Sequence, residues 1–290
     1  MFRKIIIASE LSKNTFDIIK CLARLKELGA EECLILQCLD PEESDQKISS
    51  FVAEIYNTNL STQKELLENQ GFKVEARTIT GEITQELNRI AEDENFSLIV
   101  IGPNEYNLTE KLFLSGSSQK IIHNTSKPVL LINTSPEDAE VPDYIKACNI
   151  KEHILFPTDF SDNAALAFEF VKKLVSYGVK KITIAHVQDE SRIFPHLSHR
   201  IQEFNETDMK RLQKLKEELQ SENDAEVSIK LLRGSPSAEL LRLIHESQTP
   251  LVVMGSQGRG FVKELFVGSV SHNIVRNSMA SVLLIPAKRL

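Results

Sequence analysis

Apolar residues come in two patterns along this chain, and the two alternate. Residues 4–8, 129–132, 153–157, 251–254 and 281–285 are short runs that are apolar at most positions, the pattern of strands covered on both faces. Between such runs lie longer polar stretches in which apolar residues recur at helical spacing. Leu212, Leu215 and Leu219, separated by Lys and Glu, predict an amphipathic helix lying on a sheet. In the second half the pattern predicts strands near 153–157, 181–187, 226–232, 250–254 and 281–286. It predicts helices near 161–177, 197–222, 236–247 and 267–277, with Ser161 and Ser235 as N-caps and Gly178 as a C-cap. Strands that alternate with helices imply right-handed crossovers and a parallel sheet with helices on both faces. A ligand of such a sheet sits beyond the strands' C-terminal ends, where strand order reverses.

The same succession occurs twice. The run at 4–8 ends at Ser9-Glu10-Leu11-Ser12, and the run at 153–157 ends at Thr158-Asp159-Phe160-Ser161. Gly81 and Gly234 differ by 153, as do Gly102 and Gly255, and 129–132 lies opposite 282–285. A repeat of this length is a domain duplication. Residues 137–150 carry Glu137, Asp138, Glu140 and Pro142 with little periodicity and form the linker between a first domain at 1–136 and a second at 151–290.

Composition narrows the class. The chain has 290 residues, 41% of them hydrophobic, and no apolar run approaches the roughly 18 residues of a membrane helix. Met1-Phe2-Arg3-Lys4 leads directly into a strand, so a cytoplasmic location is expected. Cys21, Cys33, Cys38 and Cys148 show no Cys-x-x-Cys spacing and are expected to be reduced thiols. Residues 1–140 carry 14 Lys and Arg against 23 Asp and Glu, a net of −9; residues 141–290 carry 20 against 18, a net of +2. An acidic chain argues against nucleic acid as a partner, and the near-neutral half is the easier place to hold an anion.

The loop after 251–254 is glycine-rich, with Gly255, Gly258, Gly260 and then Gly268-Ser269 opening an amphipathic segment. Glycines there let backbone N–H groups approach an anion, and a helix N-terminus adds positive dipole. Two nucleotide motifs fail on it. Gly255 and Gly260 have P-loop spacing but are followed by Phe261-Val262 instead of Lys-Ser/Thr, and Gly-x-x-Gly-x-Gly is not the dinucleotide order.

Taken with Pro157-Thr158-Asp159 and the end of the second strand at Val187, the loop resembles the universal stress protein family, in tandem form and over nearly the whole chain. The family's ATP-binding signature, Gly-x2-Gly-x9-Gly-Ser/Thr, stands here as Gly255, Gly258, Gly268 and Ser269. Ala185-His186-Val187, Gly234-Ser235-Pro236 and the run at 282–286 add to the likeness. The resemblance implies an α/β fold of two tandem domains, each a five-stranded parallel open sheet of order 3-2-1-4-5 with helices on both faces, Rossmann-like and similar to the adenine nucleotide α-hydrolases. It implies ATP or AMP as ligand, with Mg2+ accompanying ATP. By position, Asp159 would face the ribose, the Val187 backbone the adenine edge, and Gly255, Gly258, Gly268 and Ser269 the phosphates, with Val270 following. Pro157 and Thr158 would shape the first loop, and Met254 would pack near the sugar. Arg259 and Lys263 flank the loop as charge support or as solvated surface. The closing strands would pair across domains in an intrachain pseudo-dimer, with a homodimer as further association.

The first copy departs from the signature. Glu105 replaces the second glycine, Pro103 follows Gly102, Glu10 stands opposite Asp159, and Ser115-Gly116 lies opposite Gly268-Ser269. A carboxylate beside a phosphate is repulsive, so the first copy is expected to bind weakly or not at all, unless Gly116-Ser117 is used with a one-residue shift. The second class of function weighed is a slow ATP-hydrolysing or autophosphorylating enzyme. Neither Ser-Gly-Gly-x-Asp-Ser nor His-x-Gly-His occurs, and no catalytic residue is assigned. His196 and His199, with Asp189 or Glu203, have the spacing of zinc ligands, but Pro195 and Ser198 mark a loop-to-helix junction, so a solvated face and no metal are expected. His186, at a strand end with no nucleophile beside it in sequence, is expected to be structural.

Overall fold

Leucine, isoleucine and valine runs become fully buried parallel strands in both halves, because only a sheet covered on both faces can take apolar side chains at successive positions. The computed structural model describes residues 1–9, 19, 21–39, 49–80, 83–102, 121–122, 125–133, 149–193, 197–222, 224–258 and 267–287. The chain divides into two compact units, Met1–Cys148 and Asn149–Leu290. Residues 137–148 of the expected linker lie outside the described residues.

The first unit runs β1 (Lys4–Ser9), a 3-10 turn at Ala23–Leu28, β2 (Glu32–Leu39), α1 (Ser49–Asn69), β3 (Lys73–Thr80), α2 (Ile83–Asp93), β4 (Leu98–Ile101) and β5 (Val129–Leu131). β1 pairs with β2 and β4, β3 lies outside β2, β5 lies outside β4, and every pairing is parallel. The order is therefore 3-2-1-4-5. Ile5, Ile6, Leu34, Ile35, Leu98 and Ile99 fill its core.

The second unit runs β6 (Ile154–Pro157), α3 (Asp162–Ser176), β7 (Lys181–Asp189), α4 (Ile201–Glu222), β8 (Glu226–Gly234), α5 (Pro236–Ser247), β9 (Leu251–Gly255), α6 (Ser269–Asn277) and β10 (Ser281–Ile285). β6 pairs with β7 and β9, β8 lies outside β7 and β10 outside β9, again all parallel and in the same order. Every residue of β6 and β9 is buried, so helices cover both faces of the strands that carry the site. Leu212 and Leu219 anchor α4 to this core.

Local chemistry sets the boundaries. Ser161 caps α3, its hydroxyl accepting from the Ala164 N–H at 3.2 Å. The C-cap of α3 is Tyr177 and not the expected Gly178, which follows one residue later, two past the end of the helix, at φ 94, a left-handed conformation that a Cβ would disfavour. Ser235 holds the N-cap position of α5 but makes no side-chain capping bond, against expectation; Pro236 follows it in the first turn and removes one N–H that would need a cap. β7 and β8 run two residues beyond their predicted ends, to Asp189 and Gly234, because the strand ladder continues past the apolar residues.

The cysteines bring a further correction. Cys21 is disulfide-bonded where the sequence predicts a reduced thiol, a bond that no local Cys-x-x-Cys spacing announces. Cys33 is a free buried thiol whose pKa burial pushes up to about 12. Among the described residues no helix is long and apolar enough to cross a membrane.

Candidate functional site

β7 outlasts β6, and a cleft opens where its neighbour stops. The last rung between them is the Thr158 N–H donating to the Ala185 carbonyl at 2.9 Å. Residues two apart in a strand turn their backbone groups to the same side. The N–H and C=O of Val187 therefore face the side on which β6 has ended. They form a donor–acceptor pair at the wall of a cavity of ≈ 630 Å³.

The chain leaving β6 is folded tightly around its own side chains. Thr158 Oγ1 accepts from the Phe160 N–H and Asp159 Oδ1 from the Ser161 N–H, both at 3.0 Å. These two turns hold Phe160 at φ 59, uncommon for an aromatic residue. The Thr158 carbonyl accepts from His186 Nδ1 at 2.7 Å, which places the ring proton on Nδ1. His186 Nε2 lies 3.6 Å from the Asp208 carboxylate of α4, which accepts from Gln188 Nε2 at 3.0 Å. Arg211 of α4 stacks over Phe160, 5.2 Å from its ring centre. His186 thus ties the first loop to the end of β7 and faces α4.

The loop after β9 is held by its neighbours group by group. The Ser256 N–H donates to the Ile285 carbonyl at 2.9 Å, and the Gly268 N–H to the Ser256 carbonyl at 2.8 Å. Ser271 Oγ donates to the Gly255 carbonyl at 2.9 Å, and Asn163 Oδ1 accepts from the Gln257 N–H at 2.8 Å. Among the described residues the Gly258 N–H has no such partner. The first-turn amides of α6, at Ser269, Val270 and Ser271, lack intrahelical acceptors by geometry, and Gly268 at the N-cap offers no side chain to cap them. Gly258, Ser269, Val270 and Ser271 all line the cavity.

The glycines differ in why they are glycine. A Cβ on Gly258 would lie 2.6 Å from Asp159 Oδ2, so the carboxylate occupies the place of a side chain. A Cβ on Gly255 would lie 2.7 Å from Asn163 Oδ1. Gly268 has φ −68, and its Cβ would make ordinary contacts of 3.6–3.7 Å, the nearest to the Gly258 nitrogen. The protein alone does not require glycine at 268.

Of the residues singled out in the sequence, Pro157, Thr158, Asp159, Val187, Met254, Gly255, Gly258, Gly268, Ser269 and Val270 all line the one cavity. Arg259 and Lys263 lie outside the described residues, as do Glu10, Glu105, Gly116 and His196. No group of three metal-ligating side chains stands together among the described residues. The structure adds lining residues that the sequence had not singled out for the site: Gln257 and Ser237 among the polar ones, Ile193, Leu197, Phe204 and Leu240 as an apolar end. Asn163 was missed too; its only signal is an Asn two residues after Ser161, which reads as ordinary helix.

The model of the universal stress protein family matches residues 1–133 and 151–286. The universal stress protein MJ0577 of Methanocaldococcus jannaschii is 28% identical over 156 residues, 47% of this chain and 94% of the relative. A second protein of that organism, universal stress protein MJ0531, is 22% identical over 145 residues, 47% of this chain and 83% of the relative. A crystal structure of a universal stress protein from Archaeoglobus fulgidus covers 99% of both chains with a TM-score of 0.76 at 22% identity, a likeness of fold. With both units matched by the family model, this chain belongs to the universal stress protein family.

Proposed function

We propose that the second unit binds an adenine nucleotide, ATP or AMP, in the cavity at the C-terminal ends of β6, β7 and β9, and that occupancy alters conformation or partner affinity in a stress response. The observation that carries this reading is the convergence of free backbone donors at Gly258, Ser269 and Val270 on the same cavity as Asp159 and the open rung of Val187. Free amides at a helix start suit phosphate oxygens, a carboxylate accepts from ribose hydroxyls, and one strand residue presents the donor and acceptor that match the adenine edge. Gly268 supports the phosphate end. A Cβ there would cover the Gly258 nitrogen, so its absence keeps a donor open. Mg2+ accompanying ATP would be held largely by phosphate oxygens and water.

Slow hydrolysis or autophosphorylation is the competing reading. His186, the one imidazole lining the cavity among the described residues, is engaged by the Thr158 carbonyl and faces Asp208, which does not favour it as a base. The proposal extends to assembly, an intrachain pseudo-dimer formed through the closing strands and a homodimer of chains, because apolar edge strands need cover. Light scattering tests the homodimer.

The test of the nucleotide reading is to heat-release ligand from purified protein and to run equilibrium dialysis with ATP and AMP. Adenine nucleotide in the supernatant and saturable binding are expected. Absence of both ends the reading, and repeated turnover with a defined phosphoryl acceptor shifts it to an enzyme.

A further inference from the structure

Asn163 lies in the first turn of α3, is 7% exposed, and uses both ends of its amide. Nδ2 donates to the Ile285 carbonyl at 3.1 Å, and Oδ1 accepts from the Gln257 N–H at 2.8 Å. That carbonyl is the one that also takes the Ser256 N–H. One side chain therefore ties the start of α3, the end of β10 and the loop after β9. The fit is close on the loop side, since a Cβ on Gly255 would meet Asn163 Oδ1 at 2.7 Å, Cγ at 2.8 Å and the backbone carbonyl carbon at 3.1 Å. Gly255 does not have a positive φ, so its requirement for glycine comes from the closeness of Asn163.

The consequence for a ligand is directional. A loop amide that is satisfied internally is fixed in orientation, and it fixes the peptide plane that follows it. Gln257 N–H is turned inward onto Asn163, and the next amide, Gly258 N–H, is left at the cavity wall. Without Asn163 the Gln257 N–H loses its acceptor, and the loop regains the freedom to turn Gly258 away. The two hydrogen bonds of the Asn163 amide go to Ile285 and Gln257, and Thr158, Asp159 and Val187 take no part in them, so the proposed nucleoside end is left in place.

We propose that Asn163 is the positioning residue of the phosphate loop: it aims the Gly258 amide, and so sets affinity for the phosphates of a nucleotide while leaving affinity for the nucleoside unchanged. This rests on the reading of the second unit as a nucleotide site. The test is isothermal titration of ATP and of adenosine into wild type and Asn163→Ala, with amide hydrogen exchange over residues 255–258. Asn163→Ala is expected to weaken ATP by about tenfold or more, to leave adenosine within about twofold, and to speed Gln257 exchange by about tenfold or more. Asn163→Asp, which keeps the acceptor and the volume, is expected to keep Gln257 protected, and it covers the case in which the alanine variant does not fold. Wild type that binds neither ligand overturns the nucleotide reading and this assignment with it. Wild type that binds ATP beside an alanine variant that binds it equally well overturns the assignment alone. Equal losses of ATP and adenosine affinity, or an aspartate variant with Gln257 unprotected, also overturn it, because a general loosening of the unit would produce them.

Discussion

At the foot of the first strand in each unit, Lys4 and His153 occupy matched places in very different company. Lys4 is partly exposed, donates to the Glu94 carbonyl at 2.9 Å and lies 4.7 Å over the Phe96 ring. His153 is buried, with Nε2 2.8 Å from Thr183 Oγ1 and Nδ1 3.4 Å from Thr249 Oγ1. Phe96 and Thr249 are themselves 153 positions apart, the offset that relates the glycines. In the sequence that follows β4 and β9 the contrast is Gly102-Pro103 with Glu105 against Gly255 with Gly258. One strand order is thus compatible with an ammonium over an aromatic ring or an imidazole among hydroxyls, and with a glycine pair or a proline and a glutamate. The fold fixes where chemistry can sit and leaves its kind to a few residues.

The sharpest way to break the contrast is to write the first unit's residue into the second. Gly258→Glu places a Cβ 2.6 Å from Asp159 Oδ2 and a second carboxylate at the phosphate end, and ATP binding should fall by about a hundredfold or more in isothermal titration. Unchanged affinity would mean that Glu105 does not distinguish the two copies. Asp159→Ala is the next largest. It should cost about tenfold, about 1.4 kcal/mol, for ATP and adenosine alike, since it acts at the nucleoside end. Gly268→Ala should weaken ATP by about threefold to tenfold at a stability cost of about 1 kcal/mol or less. A larger loss on chemical denaturation would show that the fold itself needs that glycine.

The smallest effect separates the two units by pH. Burial holds the His153 pKa below its ordinary 6.5, with Lys181 adding to the shift. Between the folded value and 6.5 the unfolded chain takes up a proton that the folded unit refuses. Stability from this site is therefore complete above 6.5 and declines as pH falls below it. In the first unit the Arg77 guanidinium holds the Glu94 and Glu75 carboxyls below 4.5, so that contribution persists until the pH falls below that range. Urea midpoints measured from pH 7 to 5 should fall in wild type and flatten in His153→Gln. Equal slopes in the two proteins would place the acid sensitivity elsewhere.

The sequence displays what depends on runs and fixed spacing. Residues 153–157 and 251–254 announce strands, and Gly255, Gly258, Gly268 and Ser269 announce a loop with accessible amides. What it hides depends on distant contacts. Asn163 meets Gln257 and Ile285 across 94 and 122 positions, and no local pattern encodes either bond. The two extra rungs of β7 and β8 are equally hidden, because Gln188, Asp189 and Arg233 are polar and a ladder is held by the backbone. Ser235 shows the opposite failure. A good capping residue in the right place makes no capping bond.

The double use of the Ile285 carbonyl, by Ser256 and by Asn163, has a temporal side. Chains emerge from synthesis N-terminal end first, and contacts between distant positions form late. The strands that lead to Asp159 and Val187 are made well before residue 285, yet the loop that would grip phosphate gains its last anchors only once β10 has joined the sheet. A nascent second unit would thus present the nucleoside half of its cavity before the phosphate half, and tight nucleotide binding would mark a finished unit.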